Sequence, residues 1–189
     1  MATEKDWASY GRAVIDFAPP GRPPFRLVPE APGVTGVWPL ELMAPVLIVT
    51  AWNPDSIILP VADNRARNQL LVAELDRRGL IFWPAVGRDP DTDHHEDGFA
   101  ISGLTPAEGV TLGLRHGQAA VFVWTPVAIA VVSCRDDRHH SSGWRLGDIP
   151  SNTGGPITTA ETLTVCSAAT LVTGLPALDT PTTARGLHR

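Results

Sequence analysis

The sequence predicts an α+β fold. An antiparallel sheet carries two helices on one face, with a ferredoxin-like (split βαβ) core, an N-terminal hairpin and a C-terminal extension. Two observations predict this. From Val46 the strand-like and helix-like segments run strand, helix, strand, strand, helix, strand, the order of a split βαβ unit. Both helices also carry their own start and stop residues. Another α+β sandwich satisfies the same order, because order along the chain does not fix order in space. The 189 residues, 43% apolar and 19% charged, suit one globular domain over residues 10–148. Residues 1–9 read as a tail and 149–189 as a Thr/Pro/Gly-rich extension.

The elements follow in order. Ala13 to Phe17 and Phe25 to Val28 are short strands separated by the turn Pro19-Pro20-Gly21-Arg22-Pro23-Pro24. Prolines cannot donate to a ladder, so both are expected at an edge. Ala31 to Pro39 is loop. Val46 to Trp52 is a continuous β-branched and apolar run, as expected of a strand buried on both faces. Asn53-Pro54-Asp55-Ser56 ends it, with Pro54 pushing Asn53 towards extended backbone. Asp63 to Arg78 is a helix capped by Asp63 or Asn64, with Ala66, Leu70, Leu71, Ala73 and Leu75 on its apolar side and Gly79 as its stop. Leu80 to Val86 is a strand, Asp89 to Asp97 an acidic loop, and Phe99 to Leu104 a strand.

Thr105-Pro106-Ala107-Glu108 opens the second helix: the threonine caps, proline suits the first turn, and glutamate reaches back to the cap. Val110 and Leu114 are expected to face the core, and Gly117 ends the helix. Gln118 to Trp124 and Val127 to Cys134 are strands that can pair as a hairpin. Beyond Asp148, Thr158-Thr159-Ala160-Glu161 can cap a further helix ending at Gly174, and Leu178 to Arg189 reads as a disordered tail.

Charge and composition exclude several classes. The net charge is −5, and between Asp63 and Trp124 six arginines face nine acidic residues, so no basic footprint for nucleic acid exists. No apolar stretch is longer than that from Val127 to Val132, far short of the roughly 20 residues that span a bilayer. Glu4, Lys5 and Asp6 stand where a secretory signal needs apolar residues, which places the chain in the cytoplasm with Cys134 and Cys166 reduced. Lys5 is the single lysine beside fourteen arginines, a bias typical of a GC-rich bacterial genome.

The central segment carries a resemblance. Thr50-Ala51-Trp52-Asn53-Pro54-Asp55-Ser56 is followed by Asn64-Arg65-Ala66-Arg67-Asn68, then by Trp83-Pro84-Ala85-Val86-Gly87-Arg88-Asp89-Pro90. Glu96-Asp97-Gly98-Phe99 and Gly117-Gln118-Ala119-Ala120-Val121-Phe122 come next. In this set and order the chain resembles the bacterial family called domain of unknown function 3293, over residues from about Tyr10 to Cys134. The resemblance implies a small cytoplasmic α+β domain and no reaction, and it makes the chain after Asp148 an addition.

Three constellations are candidate sites. Asn53, Ser56, Asn64, Arg67 and Asn68, joined by Arg88, surround a strand end that feeds a helix N-terminus, where free N–H groups and the macrodipole favour an anion. The bland alternative is that Asn53 and Ser56 only build the turn while Asn64 caps the helix. Second, His94 and His95 in one acidic loop, with His139 and His140 in another beside Asp136 and Asp137, offer imidazole and carboxylate to a transition metal. Adjacent histidines in a strand point to opposite faces, which favours two solvated loops. Third, Cys134 lies near Arg135 and His139, which would lower a thiol pKa, but a packed thiol is the commoner state of cysteine. Of the tryptophans, Trp52, Trp83 and Trp124 are expected in the core, and Trp7, Trp38 and Trp144 as clamps in irregular segments.

The functional expectation is a non-enzymatic binding or regulatory module for a small anionic ligand or a protein partner, with no cofactor, no nucleic acid and no membrane, able to homo-oligomerise through the sheet face its helices leave free. The alternative is a small hydrolase or transferase, metal-assisted through the His/Asp loops.

Overall fold

The computed structural model describes residues 4–19, 21–39 and 42–150. The helix expected from Thr158 and the tail from Leu178 lie outside them. Among the described residues there are eight strands: β1 (Val14–Phe17), β2 (Phe25–Glu30), β3 (Val46–Val49), β4 (Ile81–Arg88), β5 (His95–Ser102), β6 (Ala120–Trp124), β7 (Ile129–Ser133) and β8 (His139–Gly147). The helices are α1 (Glu4–Tyr10), α2 (Val61–Arg77) and α3 (Pro106–Arg115).

The strands close into an antiparallel barrel in the order β1-β2-β8-β7-β6-β3-β5-β4. This overturns the expected ferredoxin-like α+β sheet. The four strands from Val46 onward are neighbours, but they are only half of a ring. Pairing of β1 with β4, Val14 to Phe17 against Arg88 to Ala85, closes it. The β1–β2 hairpin therefore does not sit at an edge: β1 pairs with β2 and β4, and β2 with β1 and β8. Closure removes both edges, and with them the free sheet face expected to receive a partner.

Each face of the strands has its own core. Along β3, Leu47 and Val49 pack outward with Phe82, Phe99, Ile101 and Val121 against Leu71 and Leu75 of α2 and Leu112 of α3. Val46 and Ile48 point into the barrel with Ile15, Phe17, Leu27, Trp83, Trp124 and Trp144. This double burial is why the run shows no apolar–polar alternation. Trp144 is thus a fully buried β8 residue and not a clamp in a loop.

Each helix buries part of the expected face, Leu71 and Leu75 of α2 and Val110 of α3, but the buried stripe is rotated from the expected one. α2 begins at Val61 after Pro60, with no side-chain cap. Its buried stripe is Asn64, Asn68, Leu71 and Leu75, while Leu70 is exposed. The reason is polar: both asparagines bond the chain that leaves β3. In α3 the Thr105–Glu108 capping box is present as expected. Its buried face is Gly109, Leu112 and Gly113, with Leu114 exposed. A methyl group on Gly109 would meet Leu47 Cδ1 at 2.7 Å, and one on Gly113 would meet Val121 Cγ1 at 2.5 Å. Glycine lets the α3 backbone lie directly on the sheet.

Candidate functional site

The barrel interior tapers in side-chain size from one end to the other. Inward positions recur every second residue. On β4 they run Trp83, Ala85, Gly87, and on β6 Trp124, Phe122, Ala120. Leading out of β1 they run Phe17, Ile15, Ala13. Aromatic rings fill one end: Trp38, Phe17 and Trp144 all contact Trp124, at ring-centroid distances of 4.5, 5.5 and 5.3 Å. Towards the end where β3 and β4 finish and β1, β5 and β6 begin, the side chains shrink to alanine and glycine. A cavity of about 320 Å³ opens there. Eight strands enclose just enough space for packed side chains or for one small ligand, and the shrinking residues turn the first case into the second at this end.

Two segments build the rim. α1 contributes Asp6, Ser9 and Tyr10. Its Ser9 hydroxyl donates to Asp89 Oδ2 at 3.3 Å, and the Trp7 ring lies 4.8 Å from the Arg138 guanidinium. The turn after β3 contributes Asn53, Ser56 and Ile58. Asn53, Asp55 and Ser56 have φ of 46°, 57° and 61°, left-handed backbone in three non-glycine residues around one proline. Asn53 is thus not extended, as Pro54 led one to expect. The surroundings over-determine the turn. Asn53 N–H donates to Asn64 Oδ1 at 2.8 Å, Asp55 N–H to the Gly117 carbonyl at 2.8 Å, and Arg135 pairs with Asp55. Such strain is stored where a side chain must be held in one place, and here it aims Asn53 Nδ2 at Glu96 Oε1, 2.8 Å away.

Glu96 is the charged centre of the mouth. It lies on β5 opposite Gly87, with His94 Nε2 at 3.7 Å from Oε1. Among the described residues, its Oε2 makes no hydrogen bond. The neighbouring Glu96 carboxylate raises the His94 pKa above the ordinary histidine value, against an opposing effect of burial. Burial raises the Tyr10 phenol, with the Asp6 and Glu96 charges adding to it and the Ser56 side chain opposing it.

The residues expected from the sequence divide. Asn53, Ser56 and Arg88 line the cavity. Asn64 and Asn68 are buried and spend their amides on the protein: Asn64 Nδ2 donates to Asn53 Oδ1, Asn68 Oδ1 accepts from Ala51 N–H, and Asn68 Nδ2 donates to the Asp97 carbonyl. Arg67 donates its Nε to the Ala51 carbonyl at 3.2 Å and is not part of the lining. Arg88 is committed to Asp16, a fully buried carboxylate that Arg26 also grips.

Of the candidate metal ligands, His94 lines the cavity, His95 lies against Trp52, and His140 takes part in a contact with Ser142. His139 Nδ1 is 3.4 Å from the Asp137 carbonyl. Among the described residues no group of three His, Cys, Asp or Glu side chains is placed to hold a metal ion. Cys134 packs in the outer core, where burial pushes its thiol to about 11.

Sequence reasoning missed Asp6, Ser9, Tyr10 and the small inward residues Ala13, Ala85, Gly87 and Ala120. The signal for the last three was present as the period-two series Trp83-Ala85-Gly87 and Trp124-Phe122-Ala120. It becomes readable only once both strands are known to line one interior.

No helix among the described residues is long and apolar enough to cross a membrane. No curated protein and no solved structure matches the chain. Residues 49–121, which supply α2, α3, the strained turn and the β4–β5 side of the mouth, match the family model described as protein of unknown function (DUF3293). Over that stretch the chain is similar to this family.

Proposed function

We propose that the protein is a non-enzymatic binding module that takes one small polar ligand into the mouth of its barrel. The taper of the interior carries this reading. Small residues at successive inward positions leave a cavity within the size range of small-molecule sites, with an apolar floor of Ile48 and Phe122 and a polar rim. The anionic ligand expected from the arginines is the competing version. It loses support because Arg67 is absent from the lining and Arg88 is held by Asp16. The cytoplasmic setting belongs to the same proposal. Burial of Cys134 as a protonated thiol weighs against a thiolate mechanism.

Gly87→Leu tests the reading. A Cβ at Gly87 meets nothing within 4 Å, so the new side chain extends into the cavity without a backbone clash. A library of small polar fragments is screened by ligand-observed NMR against both proteins. Fragments should bind the wild type and be lost in Gly87→Leu, with melting temperature unchanged or raised. Fragments that bind both proteins equally, or none that bind the wild type, overturn it.

A further inference from the structure

We infer that the ligand of the barrel mouth is an organic cation, an ammonium or amidinium group on a short apolar body, seated on Glu96. This rests on the mouth being a ligand site and names the chemistry it selects. The first argument is the balance of charge. Asp6, Asp89 and Glu96 line the cavity, against Arg88 and His94. Arg88 already faces the buried Asp16 carboxylate, with Nε 2.8 Å from Oδ2. A concave site lined mainly by one sign of charge concentrates the opposite sign.

The second argument is Glu96 itself. The strained turn fixes its Oε1 through Asn53, while Oε2 makes no hydrogen bond among the described residues. A half-buried carboxylate with one oxygen held and the other open is a preorganised acceptor for an N–H donor. His94 shows the preference within the chain: its protonatable imidazole nitrogen lies 3.7 Å from Oε1. The third argument is the floor. Ile48, Ala85, Phe122 and Ala120 suit a few methylene groups below the charge.

The test uses three probes of nearly one size, n-butylammonium, n-butanol and butyrate, titrated into the full chain above the histidine titration range. Binding is followed by the amide NMR signals of Gly98, Ala120 and Phe122. Butylammonium should bind tightest, weaken at least tenfold in Glu96→Gln, and weaken with added salt. Butanol should be indifferent to both changes. The glutamine keeps an oxygen for Asn53, so an unchanged butanol affinity certifies an intact mouth; should the variant not fold, the salt dependence in the wild type decides alone. Butyrate or butanol binding at least as tightly as butylammonium overturns the cation and leaves the ligand site standing. No probe shifting these amides, or all three binding Gly87→Leu as well as the wild type, overturns the site as well.

Discussion

Asn64 illustrates how far one residue can be read in isolation. Its position near the start of a helix made it a cap, a role in which alanine substitution costs about 1 kcal/mol. In the structure it lies inside α2, 1% exposed, bonding Asn53 N–H, Asn53 Oδ1 and the Leu59 carbonyl. Removing it leaves the buried Asn53 N–H unpaired beside a strained turn, and leaves Asn53 Oδ1 with the Leu59 N–H as its remaining donor. Asn64→Ala should therefore cost about 2–4 kcal/mol, measured by urea denaturation. A loss at the cap value would show that the turn does not depend on it. The capping box of α3 was legible because its partners are three residues apart. The partners of Asn64 belong to a turn that leaves another element, and no local pattern announces them.

At the scale of elements, the sequence exposed those that obey a local rule and hid those that do not. β3 was visible as an unbroken apolar run. β8 was not, because His139-His140-Ser141-Ser142-Gly143 is polar on both sides and only Trp144 and Leu146 mark its inner face. The acidic stretch before Phe99 read as loop, yet β5 already begins at His95, extended by its pairing with β4. The two long helices were seen but not how they meet. Glu74 of α2 bonds His116 Nε2 at 3.1 Å and pairs with Arg115, just beyond and at the end of α3. Burial acts to raise the Glu74 carboxyl, but the His116 hydrogen bond and the Arg115 charge outweigh it, and its pKa lies below the ordinary 4.5.

The sign of the linkage follows from that direction. A carboxyl with a depressed folded-state pKa adds stability that is present above the unfolded value and lost as pH falls through the folded one. The stability gap between wild type and Glu74→Gln should be present at about pH 6 and close as the pH falls below about 4.5. A gap that persists undiminished in acid would mean that the α2–α3 contact depends on packing and not on this charge.

For the molecule as a whole, the feature least legible in the sequence is closure. It rests on pairings such as Ile15 with Gly87 and Leu27 with Leu146, between segments tens of residues apart. The cavity depends on it, because only a closed ring turns the small residues of β4 and β6 into a shared interior. One side chain fastens the seam. Asp16 sits on β1 between β2 and β4, with no exposure, accepting from Arg26 Nε at 2.6 Å and from Arg88 Nε at 2.8 Å. Breaking a buried ion network by removing one partner costs about 3–5 kcal/mol, since the remaining charges keep their desolvation cost without the attraction. Asp16→Asn should lower stability by that order. Its effect on hydrogen exchange should also be uneven: amides of β1 and β2 should exchange faster first, while those of β3, β5 and β6, held beneath α2 and α3, stay protected. Equal acceleration around the ring would show that the barrel opens as one cooperative unit with no weak seam, and would remove Asp16 as the element that keeps the mouth in shape.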